Sequence, residues 1–166
     1  MLEIPFKRLV PNAKPPVKAK PGDAAYDLAV TKFTQDGNVV ICDIGIAMAI
    51  PEGYEGQVRS RSGLGMKGVF ITNGVGTIDS GYRGEIKVLL STVHGTPFLS
   101  NFNKNLKIGK AELTIGDRVA QLAIREVPAT NMVEVGELDE TQRGDTGFGS
   151  SGLQSVPSAQ QKEPAA

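Results

Sequence analysis

The sequence predicts an all-β chain, an antiparallel sandwich or barrel, on three observations. Twenty glycines and ten prolines break it up from end to end. Between them lie short segments, about four to seven residues each, that alternate in hydropathy or are rich in β-branched side chains. Few stretches are long enough, or carry the period, for a long helix. Short strands at regular spacing with turn residues between them are the pattern of two packed antiparallel sheets or one closed sheet.

In chain order the expected strands are Phe6 to Val10, Tyr26 to Val30, Val39 to Cys42, Gly45 to Ile50, Gln57 to Arg61, Val69 to Ile71, Gly84 to Leu90, Glu112 to Ile115 and Val119 to Ile124. The Pro- and Lys-rich stretch from Pro11 to Pro21 reads as an extended arm leading into the second of these. Asp27, between apolar neighbours, reads either as a turn cap or as a carboxylate facing a metal through water. After the turn Pro51 to Gly56, Arg59-Ser60-Arg61-Ser62-Gly63-Leu64-Gly65 passes from strand into a short helix-like turn. Arg61, Ser62 and the amides freed by Gly63 and Gly65 would suit a phosphate oxygen, or the arginines are solvated edge residues. The Gly-Lys-Ser/Thr ending of a Walker A loop is absent from this stretch.

Residues 74 to 90 look like a hairpin that carries a carboxylate, Asp79, and an amphipathic aromatic, Tyr82, at its bend. Residues 94 to 111 form a polar segment broken by Phe98, Phe102 and Leu106, either an extra hairpin or a surface loop. Gln121 stands among apolar residues and needs a hydrogen-bond partner. Arg143 to Gly152 gathers a cation, an aromatic, hydroxyls and glycines, and the stretch after it, rich in Ser, Gln, Pro and Ala, is expected to be disordered.

At 166 residues the chain fits one domain. Its 18 basic and 18 acidic residues cancel, so no long-range field selects nucleic acid or an anionic membrane, and any anion must be held locally. No apolar run approaches a membrane span and Met1 to Lys7 lacks the apolar core of a signal peptide, so the simplest location is cytoplasmic. Cys42 is the single cysteine and His94 the single histidine, which excludes an intrachain disulfide and Cys- or multi-His metal sites. Cys42 reads as a buried strand thiol and His94 as a solvated loop residue.

Five segments stand in a fixed order: Asp23 to Leu28, Arg61 to Gly65, Asn73 to Tyr82 with Gly84, Gly116 to Leu122, and Arg143-Gly144 with Gly147 to Gly152. Together they resemble the five motifs of the trimeric dUTP pyrophosphatase (dUTPase) family, over about residues 6 to 152. The resemblance implies a jelly-roll-like antiparallel β-barrel over residues 1 to 152, with a disordered tail at 153 to 166. It implies a homotrimer with active sites shared between chains and closed by an arm at about residues 143 to 152. It also implies Mg²⁺-assisted hydrolysis of dUTP to dUMP and pyrophosphate, which keeps uracil out of DNA and supplies dUMP for thymidylate synthesis.

Carried over by motif, Asp79 would activate the water that attacks the α-phosphorus and contact the 3′-hydroxyl. Tyr82 would pack beneath the deoxyribose, and Asn73 with Gly76, Thr77 and Ile78 would read the uracil edge. Arg61, Ser62, Gly63 and Gln121 match phosphate-contacting positions, and Lys87 a substrate-contacting one. Asp27 would reach Mg²⁺ through water. Phe148 would stack on uracil, with Arg143, Gly149, Ser150 and Ser151 closing over the β and γ phosphates.

Two departures stand out. The last motif more often reads Gly-Gly-Phe-Gly-Ser-Thr-Gly, where this chain has Thr146-Gly147-Phe148-Gly149-Ser150-Ser151-Gly152. Residues 94 to 111 are also longer than the basic pattern needs, which leaves room for a protein partner there. The related dCTP deaminases share the Asp-containing hairpin but need a glutamate where this chain has Leu89; Glu85 lies four residues too early to replace it.

Overall fold

The computed structural model describes residues 2–100 and 104–146. Thirteen strands and one helical turn are seen among them: β1 (Phe6–Arg8), β2 (Tyr26–Ala29), β3 (Lys32–Asp36), β4 (Val39–Asp43), β5 (Ile46–Met48), β6 (Tyr54–Arg59), α1 (Ser62–Gly65), β7 (Val69–Ile71), β8 (Gly76–Ile78), β9 (Lys87–Thr92), β10 (Phe98–Ser100), β11 (Asn105–Ile108), β12 (Ala111–Thr114) and β13 (Arg118–Glu126). The all-β expectation holds.

Every pairing is antiparallel, in sheets ordered β2-β13-β6-β8, β3-β4-β9-β7, β10-β11-β12 and β1-β5. Burial alternates along β4, β6, β11 and β12, as a pleat with one face inward requires. The inward faces of the two four-stranded sheets meet in one core. Leu28, Val58 and Leu122 come from the first sheet, and Phe33, Val40 and Leu90 from the second. This is the jelly-roll-like arrangement. Cys42 lies fully inside it, and burial, then the neighbouring Asp43 charge, pushes its thiol well above the ordinary range, so it is an inert core residue.

Residues 74 to 90 do not form a hairpin. β8 pairs with β6, while β9 pairs with β4 and β7 in the other sheet. The segment between them therefore crosses from one sheet to the other, and the backbone of Ile86 fixes the crossing. Ile44 N donates to Ile86 O at 3.2 Å, and Ile86 N donates to Ile46 O at 2.8 Å.

β3 went unanticipated as a strand for want of apolar residues: it buries only Phe33 among charged and polar neighbours. At residues 94 to 111 the hairpin alternative is the one observed, as β10 and β11 pair and β12 extends the sheet. The arm ahead of β2 is tied down by Asp27 N donating to Val17 O at 2.8 Å.

Met1–Ala129 is one compact unit and Thr130–Ala166 a second. Residues 130–146 of the second unit contain turns but neither strand nor helix. The expected tail, 153 to 166, lies outside the described residues.

Gly45, between Ile44 and the first residue of β5, is buried with φ +71°, and a Cβ there would lie 2.6 Å from Val10 Cγ2 and 3.0 Å from both Ala13 Cβ and Thr31 Cγ2. Gly45→Ala should cost about 2–4 kcal/mol through left-handed strain plus overpacking. Urea unfolding at fixed protein concentration checks this; a loss below about 0.5 kcal/mol would show that the turn relaxes freely.

Candidate active site

A cavity of about 310 Å³ opens between the two four-stranded sheets. Its wall includes Asn73, Gly76, Thr77, Ile78, Asp79, Tyr82 and Lys87, which the sequence reading singled out, and Val58, Glu85, Ile86 and Leu89, which it did not assign to a site. β8 supplies one side through its register with β6, Gly76 opposite Val58 and Thr77 opposite Gln57. An added Cβ at Gly76 would lie 3.1 Å from Asn73 Nδ2, so the glycine lets that amide lie against the strand.

Asp79 is exposed, and among the described residues its carboxylate has no hydrogen-bond or ion-pair partner, so it is free to accept from water or a ligand. Its carbonyl accepts from Tyr82 N at 3.0 Å, which closes a tight turn. The Tyr82 hydroxyl donates to Glu85 O at 2.9 Å and holds the ring over Gly84, where a Cβ would come within 2.5 Å of the phenol oxygen. Arg83 Nη1 donates to Ser80 O at 2.6 Å and to Tyr82 O at 2.9 Å, bracing the same loop.

Lys87 faces Asp43 across the β9/β4 pair, with Nζ 2.7 Å from Asp43 Oδ1 and 3.5 Å from Glu85 Oε2. The hydrogen bond to Asp43 holds its pKa above the ordinary lysine range; partial burial opposes this, and the charges of Asp43 and Glu85 add to it. A raised lysine pKa contributes stability below the unfolded value that fades as pH rises through the folded value, so this pair persists through neutral pH.

A second cluster surrounds Asp27, which is only 6 % exposed. Arg118 Nη1 donates to Oδ2 at 2.8 Å, and Gln121 Nε2 reaches Oδ1 at the limiting distance of 3.5 Å. Arg61 Nε stands 3.2 Å from Oδ1, but its N–H is not aimed along that line and has no acceptor among the described residues, so the contact is coulombic. Arg61 Nη1 donates instead to Arg118 O at 2.9 Å. A register shift between Arg118 and Ala120 on β13 swings Arg118 toward Asp27. Asp27 is thus a buried ion-pair centre rather than a turn cap. Ser62 and Gly63 follow at the start of α1, exposed, with the first turn bonds running from Leu64 N and Gly65 N to Arg61 O.

Arg61, Ser62, Gly63 and Gln121 do not line the cavity that holds Asp79 and Tyr82. Arg143 belongs to the second unit, where its Nε donates to Thr146 O at 3.3 Å. Phe148, Gly149, Ser150 and Ser151 lie outside the described residues. Arg118 and Asp43 went unassigned because one looked like the end of a turn and the other like the end of a strand.

Asp43→Asn should return the Lys87 amine toward an ordinary lysine pKa, read by NMR titration of labelled lysine side chains. An unchanged titration would remove Asp43 as the cause of the shift.

Comparison with known proteins gives the same family. The dUTPase family model matches residues 12–152. A deoxyuridine 5'-triphosphate nucleotidohydrolase of Nocardia farcinica is 44% identical over 152 residues, 90% of this chain and 85% of that one. One of Caulobacter vibrioides is 41% identical over 164 residues, 92% of this chain and 96% of that one. The structure of Staphylococcus bacteriophage 80alpha dUTPase with dUPNHPP superposes with a TM-score of 0.72 at 30% identity, over 92% of this chain and 100% of that one. With its sheets, its cavity and these matches agreeing, the chain belongs to the dUTPase family.

Proposed function

We propose that the chain hydrolyses dUTP to dUMP and pyrophosphate by water attack on the α-phosphorus. The observation that carries this reading, beside the family, is the cavity in which Asp79, a carboxylate without a partner among the described residues, shares a wall with Tyr82, Asn73 and Lys87. Asp79 takes the role of general base: it orients the water and accepts its proton as the oxygen bonds to phosphorus and pyrophosphate leaves. Tyr82, fixed through its hydroxyl, forms the floor under the deoxyribose and leaves no room for a 2′-hydroxyl. Asn73 and the backbone of Gly76, Thr77 and Ile78 read the uracil edge; a cytosine would leave buried groups unpaired at a cost of about 1–3 kcal/mol each.

Among the described residues no three His, Cys, Asp or Glu side chains gather to hold a metal. The donor set therefore fits Mg²⁺ carried on the triphosphate with several waters retained, and not an all-protein cage. Bound there, Mg²⁺ neutralises phosphate charge. Asp27, whose carboxylate keeps lone pairs beyond those used by Arg118 and Gln121, is the side chain that would accept from one of its waters.

A homotrimer with shared sites completes this reading. Arg61, Ser62, Gly63 and Gln121 sit outside the cavity of their own chain, so the phosphate-contacting set would meet the Asp79 set of another copy. Exposed apolar residues in the second unit, Met132 and Leu138 at 95% and 85% among them, support such assembly. The arm residues Arg143, Phe148, Gly149, Ser150 and Ser151 would then close over base and phosphates, excluding water. The hairpin at residues 94 to 111 is a surface open to a further protein partner. Deamination of dCTP is disfavoured: Leu89 stands in the cavity wall, and the Glu85 carboxylate is engaged by Gly45 N and Lys87.

Pyrophosphate release should be seen with dUTP and Mg²⁺, with little from dCTP, dTTP or UTP. In the same assay Asp79→Asn should retain nucleotide binding while turnover falls by about a hundredfold or more. Ammonia from dCTP, or an unimpaired Asp79→Asn, would overturn the reading.

A further inference from the structure

Glu85 sits where three connections of the site converge. Its Oε1 accepts from Gly45 N at 2.8 Å, its Oε2 lies 3.5 Å from Lys87 Nζ, and its carbonyl oxygen accepts from the Tyr82 hydroxyl at 2.9 Å. Gly45 is an anchor that cannot move: it is buried, in a left-handed conformation, and packed against Val10, Ala13 and Thr31. Its N–H, placed between β4 and β5, has Glu85 as its acceptor, and a buried N–H without an acceptor is costly.

The residues on either side of Glu85 and Gly45 complete a clamp. Ile86 exchanges backbone bonds with Ile44 and Ile46, and Lys87 pairs with Asp43. The loop from Asp79 to Gly84, which carries the exposed carboxylate and the ring, has its far end at this clamp. Bonds within the loop itself, from Arg83 to Ser80 and Tyr82, keep its shape but do not attach it to the sheet.

We propose that Glu85 is a positioning residue for the sugar pocket: by tying its own backbone to Gly45, it sets the height of the Tyr82 ring in the cavity and hence discrimination between deoxyribose and ribose. It touches no reacting atom. The carbonyl that holds the Tyr82 hydroxyl shares its peptide unit with Ile86 N, which is bonded to Ile46 O, and the Glu85 carboxylate adds a second tie, on the Glu85 side of that unit, to Gly45 N. The inference rests on dUTP being the substrate.

The test is the ratio of kcat/KM for dUTP to that for UTP. Glu85→Ala should lower this ratio by about tenfold or more, since displacements of about 1 Å at a positioning group are large in their effect. Glu85→Gln keeps an amide oxygen for Gly45 N–H and should hold the ratio within about threefold of the wild type. A change in kcat alike for both nucleotides, with the ratio unmoved in Glu85→Ala, would overturn the proposal. If that variant does not fold, Glu85→Asp, which withdraws the carboxylate by one methylene, must show the same fall, and an unchanged ratio there overturns it equally. If the wild type does not hydrolyse dUTP, the functional reading fails. The anchor is then judged by amide exchange: Gly45 should exchange about tenfold faster in Glu85→Ala relative to the core amide of Leu90, and unchanged exchange refutes it.

Discussion

A carboxylate buried between two arginines is the constraint on which the arrangement of β2, β13 and the corner after β6 depends. Taking Asp27 out of water is expensive, and only the short contact to Arg118, the coulombic contact to Arg61 and the reach of Gln121 offset it. These partners come from β13 and from the corner where β6 turns into α1, so one charge centre ties β2, β13 and that corner together. Arg61 is thereby held in place while its Nε–H has no acceptor among the described residues. A guanidinium fixed in advance loses less entropy when an anion arrives than one that must be gathered from solvent.

The opposite half of the site uses the same device in a wetter setting. Asp43 and Glu85 hold Lys87, and Glu85 also pins the loop that presents Tyr82 and Asp79. Three carboxylates thus organise cations and loop, and the fourth, Asp79, is left without a partner among the described residues. That division suits phosphoryl transfer, in which positioning and charge stabilisation matter more than covalent chemistry.

Much of this was legible in the chain. Strands with alternating burial, such as β4 and β12, announce themselves because one face must be apolar. The chemistry-bearing residues cluster in short segments whose order identifies the family. What was hidden depends on contacts distant in sequence. Residues 74 to 90 look like a hairpin locally, and only pairing with β6 on one side and β4 and β7 on the other makes them a crossover between sheets. Asp43 reads as the residue just past a strand until Lys87 is placed beside it. Glu85 has an ordinary local setting and gains its role from Gly45, forty residues away. β3 buries only Phe33, so its hydropathy signal is weak although its pairing with β4 is regular.

The claim that Asp27 organises its surroundings is most directly tested by urea unfolding of Asp27→Asn, compared with the wild type at one protein concentration. Asparagine keeps the volume but leaves the arginines without a counter-charge. The expected loss is about 2–3 kcal/mol, below the usual range for a broken buried pair because Arg118 is half in water. Stability within about 0.5 kcal/mol of the wild type would contradict the account, since it would mean that the arginines need no buried partner.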